Sequence, residues 1–159
     1  MRGNKSKNMK NLCLNDISQL NSLNDLIHDE YFCLDEIKQD NGTLEIPFRR
    51  IFHYYNPPRI IKRGLLSKVG EVDCLRCVLI VNNVQKYEVI DKSRIGTYSF
   101  SEVEYDFESR ILKFHANEAC DLNVTIAAVS IEYREIEYRG KARIKYWIFG
   151  ESNDSKVYE

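Results

Sequence analysis

Apolar positions between residues 17 and 27 recur at helical spacing, and beyond Tyr31 the apolar and polar positions alternate with a period of two. Ile17, Leu20, Leu23 and Ile27 fall on one helical face, which predicts a single short helix within 11–30. Asp16 followed by Gln19 has capping-box spacing, in which each side chain satisfies a backbone N–H at the start of the helix. Asn21, Ser22, Asn24 and Asp25 lower the helical propensity, so this helix depends on packing its leucines against something else.

The alternating region predicts strands at Tyr31–Lys38 and Thr43–Tyr55, joined by Asp40-Asn41-Gly42. Asn-Gly is the strongest short hairpin signal because both residues tolerate positive φ, and as a two-residue loop it sets Lys38 opposite Glu45 and Ile37 opposite Ile46. Pro47 predicts a bulge or an edge strand, and Asn56-Pro57-Pro58 a corner within the domain. Strands follow at about 59–68, 74–81, 84–91, 95–105, 110–116, 122–138 and 142–149, with turn residues at Asn82-Asn83 and at Asp106–Ser109. Consecutive strands with tight turns predict an all-β fold, mainly an antiparallel sandwich or open barrel, with one short N-terminal helix. Residues 11–150 then form a single β-rich domain, flanked by a basic tail at 1–10 and a second tail at 151–159.

Arg139, Lys141, Arg143 and Lys145 alternate with uncharged residues and would share one strand face. With Arg139-Gly140-Lys141 as a three-residue loop, Glu137 lies across from Arg143, Glu135 from Lys145, Tyr133 from Trp147 and Ile136 from Ile144. The positive row is then neutralised across the hairpin rather than offered to phosphates.

Of the 159 residues, 43% are hydrophobic and 30% charged, which excludes collagen-like and wholly disordered classes. Twenty-three basic against twenty-four acidic residues give −1, so no global field draws the chain to nucleic acid or an anionic membrane, and neither is expected as a partner. The basic start, Arg2, Lys5, Lys7 and Lys10, lacks the apolar run of a secretory signal, and no apolar stretch is long enough to span a membrane. Five cysteines, an odd number without an export signal, lead to the expectation of reduced thiols in a cytoplasmic protein.

Cys74-Leu75-Arg76-Cys77 has metal-knuckle spacing, but on a strand residues three apart point to opposite faces, so packed thiols are expected and no metal or other cofactor. His28, His53 and His115 are dispersed, and His28 suits the C-terminal end of the helix electrostatically. Neither a Gly-x-Ser-x-Gly elbow, a thiol-protease context, a P-loop nor a dinucleotide fingerprint occurs, so no catalytic residue is assigned.

Arg59-Ile60-Ile61-Lys62-Arg63 is an Arg-x-x-x-Arg, and 28 positions after Arg63 begins Asp91-Lys92-Ser93-Arg94-Ile95-Gly96, an Asp-x-Ser-x-x-Gly. Together these resemble the PilZ-type domains that bind cyclic diguanylate. The resemblance implies Arg59 and Arg63 as grips for phosphate and guanine edges, and Asp91, Ser93 and Gly96 as the motif carried by barrel strands. The arginines, four apart, would share one strand face.

A second exposed-surface candidate is Phe48–Tyr55, where Arg49, Arg50, His53 and Tyr55 interleave charge with aromatic rings. The reading that follows is a non-enzymatic interaction or ligand-binding protein, of small accessory or immunity type, whose partner is another protein met through a strand edge or the aromatic–arginine surface. The alternative is a cyclic-dinucleotide receptor. Oligomeric state is not set by these features.

Overall fold

The computed structural model describes residues 9–51, 59–147 and 150–158. The fold is mostly antiparallel β-sheet with one short helix near the N-terminus. In chain order the elements are β1 (Asn11–Leu14), α1 (Leu20–Ile27), β2 (Tyr31–Cys33), β3 (Lys38–Asp40), β4 (Thr43–Ile51), β5 (Arg59–Arg63), β6 (Ser67–Val81), β7 (Val84–Asp91), β8 (Thr97–Asp106), β9 (Ile111–Ala116), β10 (Cys120–Ile126), β11 (Ile131–Trp147) and β12 (Gly150–Tyr158). Neighbouring strands follow the order β1-β11-β6-β4-β2-β8-β9-β10-β7, with β3 paired to β4, β5 to β6 and β12 to β11.

The chain divides into two compact units, Met1–Phe48 with Cys77–Ile136, and Arg49–Arg76 with Glu137–Glu159. The first holds α1 and an aromatic core. Phe100 stacks on Phe32 with ring centroids 4.3 Å apart, meets Phe48 edge-on at 5.7 Å and lies 6.2 Å from Phe114. Leu23 and Ile27 of α1 are buried, as are Leu112, Leu122 and Val124. In the second unit β5 and the first part of β6 form a hairpin, and β11 pairs with β12.

The capping box forms as expected: Ser18 N donates to Asp16 Oδ1 at 2.9 Å, and Asp16 N donates to Gln19 Oε1 at 3.3 Å. It opens a single 3-10 turn over Ile17–Gln19 that leads into α1, so the helix is shorter than the 11–30 window. Residues 11–14 are instead a strand, because β11 offers them a partner from Leu14↔Ile131 to Asn11↔Arg134. Even Lys10, placed in the basic tail by sequence, exchanges bonds with Glu135: its N–H donates to Glu135 Oε2 at 2.7 Å and its carbonyl accepts from Glu135 N at 3.0 Å. Residues 1–8, with Arg2, Lys5 and Lys7, lie outside the described residues. Asn24, an unfavourable helix residue, docks α1: its amide donates to Val103 O at 3.1 Å and accepts from Val103 N at 2.7 Å.

The Asn41-Gly42 turn also forms as expected, with φ of 45° and 76°, and Lys38 stands opposite Glu45. The ladder ends at Lys38↔Glu45, and Ile37 caps a 3-10 turn rather than extending the strand, so Tyr31–Lys38 is not one strand. Tyr31–Cys33 lies between β4 and β8, whereas Lys38–Asp40 pairs with β4 in the Asn41-Gly42 hairpin, and a 3-10 turn at Leu34–Glu36 separates the two segments. Likewise 59–68 folds back at Gly64-Leu65-Leu66, and 122–138 is divided by a turn before Ile131, where Asn82 N donates to Ser130 O at 2.9 Å.

The expected turn at Arg139-Gly140-Lys141 is not there. Strand β11 continues through Gly140 to Trp147, and β12 pairs back along it where a tail was expected from 151. Glu137 and Arg143 therefore lie on one strand and find partners on β6: Arg76 stands 3.6 Å from Glu137, and Arg143 3.9 Å from Glu71. The alternating charges fit both geometries, and backbone pairing along β6 and β12 selects the continuous strand.

Candidate functional site

Asp91, Ser93 and Gly96 are brought together, in a turn built around the buried Tyr98 hydroxyl. That hydroxyl donates to Asp91 Oδ1 and accepts from Ser93 Oγ at 3.2 Å, Ile95 N at 3.0 Å and Gly96 N at 3.1 Å. Arg94 N closes the turn on Asp91 Oδ1 at 2.9 Å. The chain can wrap so tightly because Arg94 and Gly96 take φ of 55° and 91°, the latter open to glycine without strain. The Tyr98 hydrogen bond, opposed by burial and helped by the Arg94 and Ser93 donors, holds the Asp91 carboxyl below its usual range. Asp91 Oδ1 and the Ser93 hydroxyl thus serve to close this turn.

Arg59 and Arg63 lie on β5, in the other unit, and both are exposed. The register runs Arg59↔Glu71, Ile60↔Gly70, Lys62↔Val69 and Arg63↔Lys68, leaving Ile61 as an extra residue. That bulge removes the shared face expected from a spacing of four: Glu71 and Lys68 are three apart on β6, so Arg59 and Arg63 opposite them point to opposite faces. Arg49 is exposed on β4, whereas Arg50 turns inward with 8% of its surface accessible. His53 and Tyr55 lie outside the described residues.

The hairpin that carries Arg59 and Arg63 has a feature the sequence pattern concealed. Its tip, Gly64-Leu65-Leu66, is closed by Gly64 N donating to Ser67 O at 2.6 Å. A Cβ on Gly64 would meet that same carbonyl at 3.3 Å, so the tip favours glycine. Leu65 is 95% exposed and Leu66 52%, with Ile61 exposed on the strand below. Residues 59–70 hold Arg59, Lys62, Arg63 and Lys68 and not one acidic residue. Leu65 and Leu66 read as strand core in a period-two pattern; only the turn at Gly64 turns them outward.

Two polar clusters lie in the first unit. His115, on β9, bonds Asp121 of β10 through Nδ1 at 2.8 Å and Glu104 of β8 through Nε2 at 3.1 Å. Burial acts to lower its pKa, but the two carboxylates outweigh it and the imidazolium is favoured above the ordinary 6.5. A raised folded pKa contributes stability that is full below 6.5 and fades as pH rises through the folded value. His115→Gln should therefore flatten the fall of melting temperature above pH 6.5; an unchanged slope counts against the imidazolium. In the second cluster the buried Ser99 donates through Oγ to Glu118 Oε1 at 3.2 Å and accepts from Asn117 Nδ2 at 2.9 Å, which ties the β9–β10 turn onto β8.

Cys74, Cys77 and Cys120 are buried, and burial, with Asp91, Asp121 and Glu118 nearby, pushes the Cys120 thiol up to about 11. A thiol so shifted is a packing group, not a nucleophile at neutral pH. Among the described residues no group of three or more His, Cys, Asp or Glu side chains is placed to hold a metal ion. Among them, too, no helix is long and apolar enough to cross a membrane. Comparison of the chain with protein-family models, with curated proteins and with solved structures finds no match.

Proposed function

We propose that this is a non-enzymatic interaction protein and that the β5–β6 hairpin is the element that meets its partner, an acidic protein surface with an apolar recess. The observation that carries this reading is Leu65, 95% exposed at a tip flanked by cations on both strands. An exposed leucine pair costs solubility unless something covers it, and the surrounding cations select a partner of opposite charge. Leu65 and Leu66 supply the apolar area, while Arg59, Lys62 and Arg63 steer the encounter and set its register.

The test uses the whole chain as bait in extract of its own cells. Wild type should retain an acidic protein, with retention falling as salt screens the cations. Leu65→Ser/Leu66→Ser should abolish it, and Lys62→Glu/Arg63→Glu, which opposes no two like charges on β6, should weaken it severalfold, with melting temperatures of all three unchanged. Repeated recovery of the bait alone, or equal retention by the variants, would remove this reading.

The cyclic-dinucleotide reading draws support from the exposure of both guanidinium groups. It requires cyclic diguanylate to raise the melting temperature, with the rise lost in Arg59→Ala and Arg63→Ala. The hairpin reading expects no shift, since Arg59 and Arg63 face opposite ways and Asp91 and Ser93 are held by Tyr98.

A further inference from the structure

Strand β7 ends the strand order of the first unit, with β10 as its one sheet partner among the described residues. Two bonds beyond the strand ends fix which way its backbone faces. Lys92 N donates to Ala119 O at 3.3 Å and Ile126 N to Arg110 O at 3.0 Å. Antiparallel alternation then turns Ile90, Glu88 and Lys86 toward Asp121, Asn123 and Thr125, and turns the N–H and C=O groups of Tyr87, Val89 and Asp91 outward. The start of the strand is closed: the register slips between Thr125 and Ile126, and Val84 N donates to Gly42 O at 2.8 Å. From Lys86 to Asp91 the edge is open among the described residues, and Val89 and Ile90 are exposed.

The side chains along this edge specify what can pair with it. Lys86 and Glu88 are exposed on the solvent face, opposite Thr125 and Asn123, and neither has an ion-pair partner among the described residues. A second copy of β7 running antiparallel must set outward residues against outward residues, which leaves three central registers. A two-fold axis at Glu88 opposes the two Glu88 carboxylates. An axis at Val89 sets Lys86 against Lys92 of the second copy. An axis at Tyr87 sets Lys86 against Glu88 of the second copy and Glu88 against its Lys86, at non-hydrogen-bonded positions, where cross-strand side chains come closest.

We propose that the chain self-associates by antiparallel β7–β7 pairing centred on Tyr87, the partner being a second copy of this chain. Tyr87 exchanges two backbone bonds with its symmetry mate on the axis, flanked on either side by a Lys86–Glu88 pair, all within the open part of the edge. The Lys-x-Glu segment is its own complement only in the antiparallel sense, so opposite charges recognise the correct register and like charges oppose the two neighbouring ones. The overlap is short, which makes the dimer concentration-dependent. This inference stands on β7 alone and is independent of the β5–β6 hairpin, whose variants leave it untouched.

Sedimentation equilibrium of the full chain, with two charge variants, tests it. The wild-type mass should rise with concentration from 18.7 kDa toward twice that value. Lys86→Glu, with glutamates at both positions, and Glu88→Lys, with lysines at both, should each weaken self-association at least tenfold. Mixed in equal amounts, the two variants should restore the wild-type dimer as a heterodimer, which no loss of folding could produce. A wild type monomeric at every concentration, variants that dimerise as it does, or a mixture that stays monomeric overturns the pairing.

Discussion

Replacing Phe100 by alanine should lower the stability of the first unit by roughly 3–5 kcal/mol, read as a shift of the urea midpoint. Phe100 is fully buried, and its ring touches Phe32 of β2, Phe48 of β4 and Phe114 of β9 from its own place on β8. Four strands therefore share one side chain, and the cavity left by its removal cannot collapse without moving several of them. Stacking on Phe32 and edge-on contact with Phe48 add aromatic geometry to the area term. Phe107 supplies the comparison. It is 71% exposed in the β8–β9 turn and rests edge-on against Tyr105 at 5.2 Å, so Phe107→Ala should cost under about 1 kcal/mol. Equal costs for the two substitutions would mean that the aromatic cluster is not the centre of the core.

What could be read in the sequence was local, and what could not depended on partners. Asp16 with Gln19, and Asn41 with Gly42, announce a cap and a turn because their chemistry is complete within a few residues. Lys38 opposite Glu45 follows from that turn alone. Tyr31–Lys38, by contrast, keeps a strand period throughout, yet a 3-10 turn at Leu34–Glu36 splits it, with the first piece held between β4 and β8 and the second in the hairpin with β4, and no local pattern encodes that division. The row from Arg139 to Lys145 fits a self-paired hairpin as well as a continuous strand, and only the carboxylates of β6 and the backbone of β12 decide. Among the candidate site residues the same division holds. Asp91, Ser93 and Gly96 do assemble, as short spacing suggests, but around Tyr98, which the motif does not include. Arg59 and Arg63 separate because of a single bulged residue, Ile61, which strand periodicity cannot reveal. Leu65 and Leu66 have the composition of a buried strand and reach solvent only because the chain reverses at Gly64.

Tyr98→Phe is expected to be the costliest removal of a single oxygen atom in the described chain, because four groups converge on that hydroxyl. The ring can stay where it is, beside Phe32 with centroids 6.0 Å apart, so the packing is kept and only the hydrogen bonds are lost. Ile95 N and Gly96 N then lack an acceptor at a site shaped for one, a loss of roughly 1–3 kcal/mol at neutral pH. The dependence on acid separates this from a general weakening. Asp91 is held below its ordinary value of 3.8, chiefly by the Tyr98 O–H, so its contribution is present above 3.8 and is lost as pH falls through the folded value. In the phenylalanine variant that acid-sensitive part shrinks, and the stability gap between wild type and variant should narrow as pH drops below 3.8. Asp91→Asn should reduce the same acid dependence, and combining it with Tyr98→Phe should cost less than the two separate effects added, since both act on one bond. A gap that holds constant into acid, together with strict additivity, would show that the turn from Asp91 to Gly96 is held by something other than the hydroxyl at its centre.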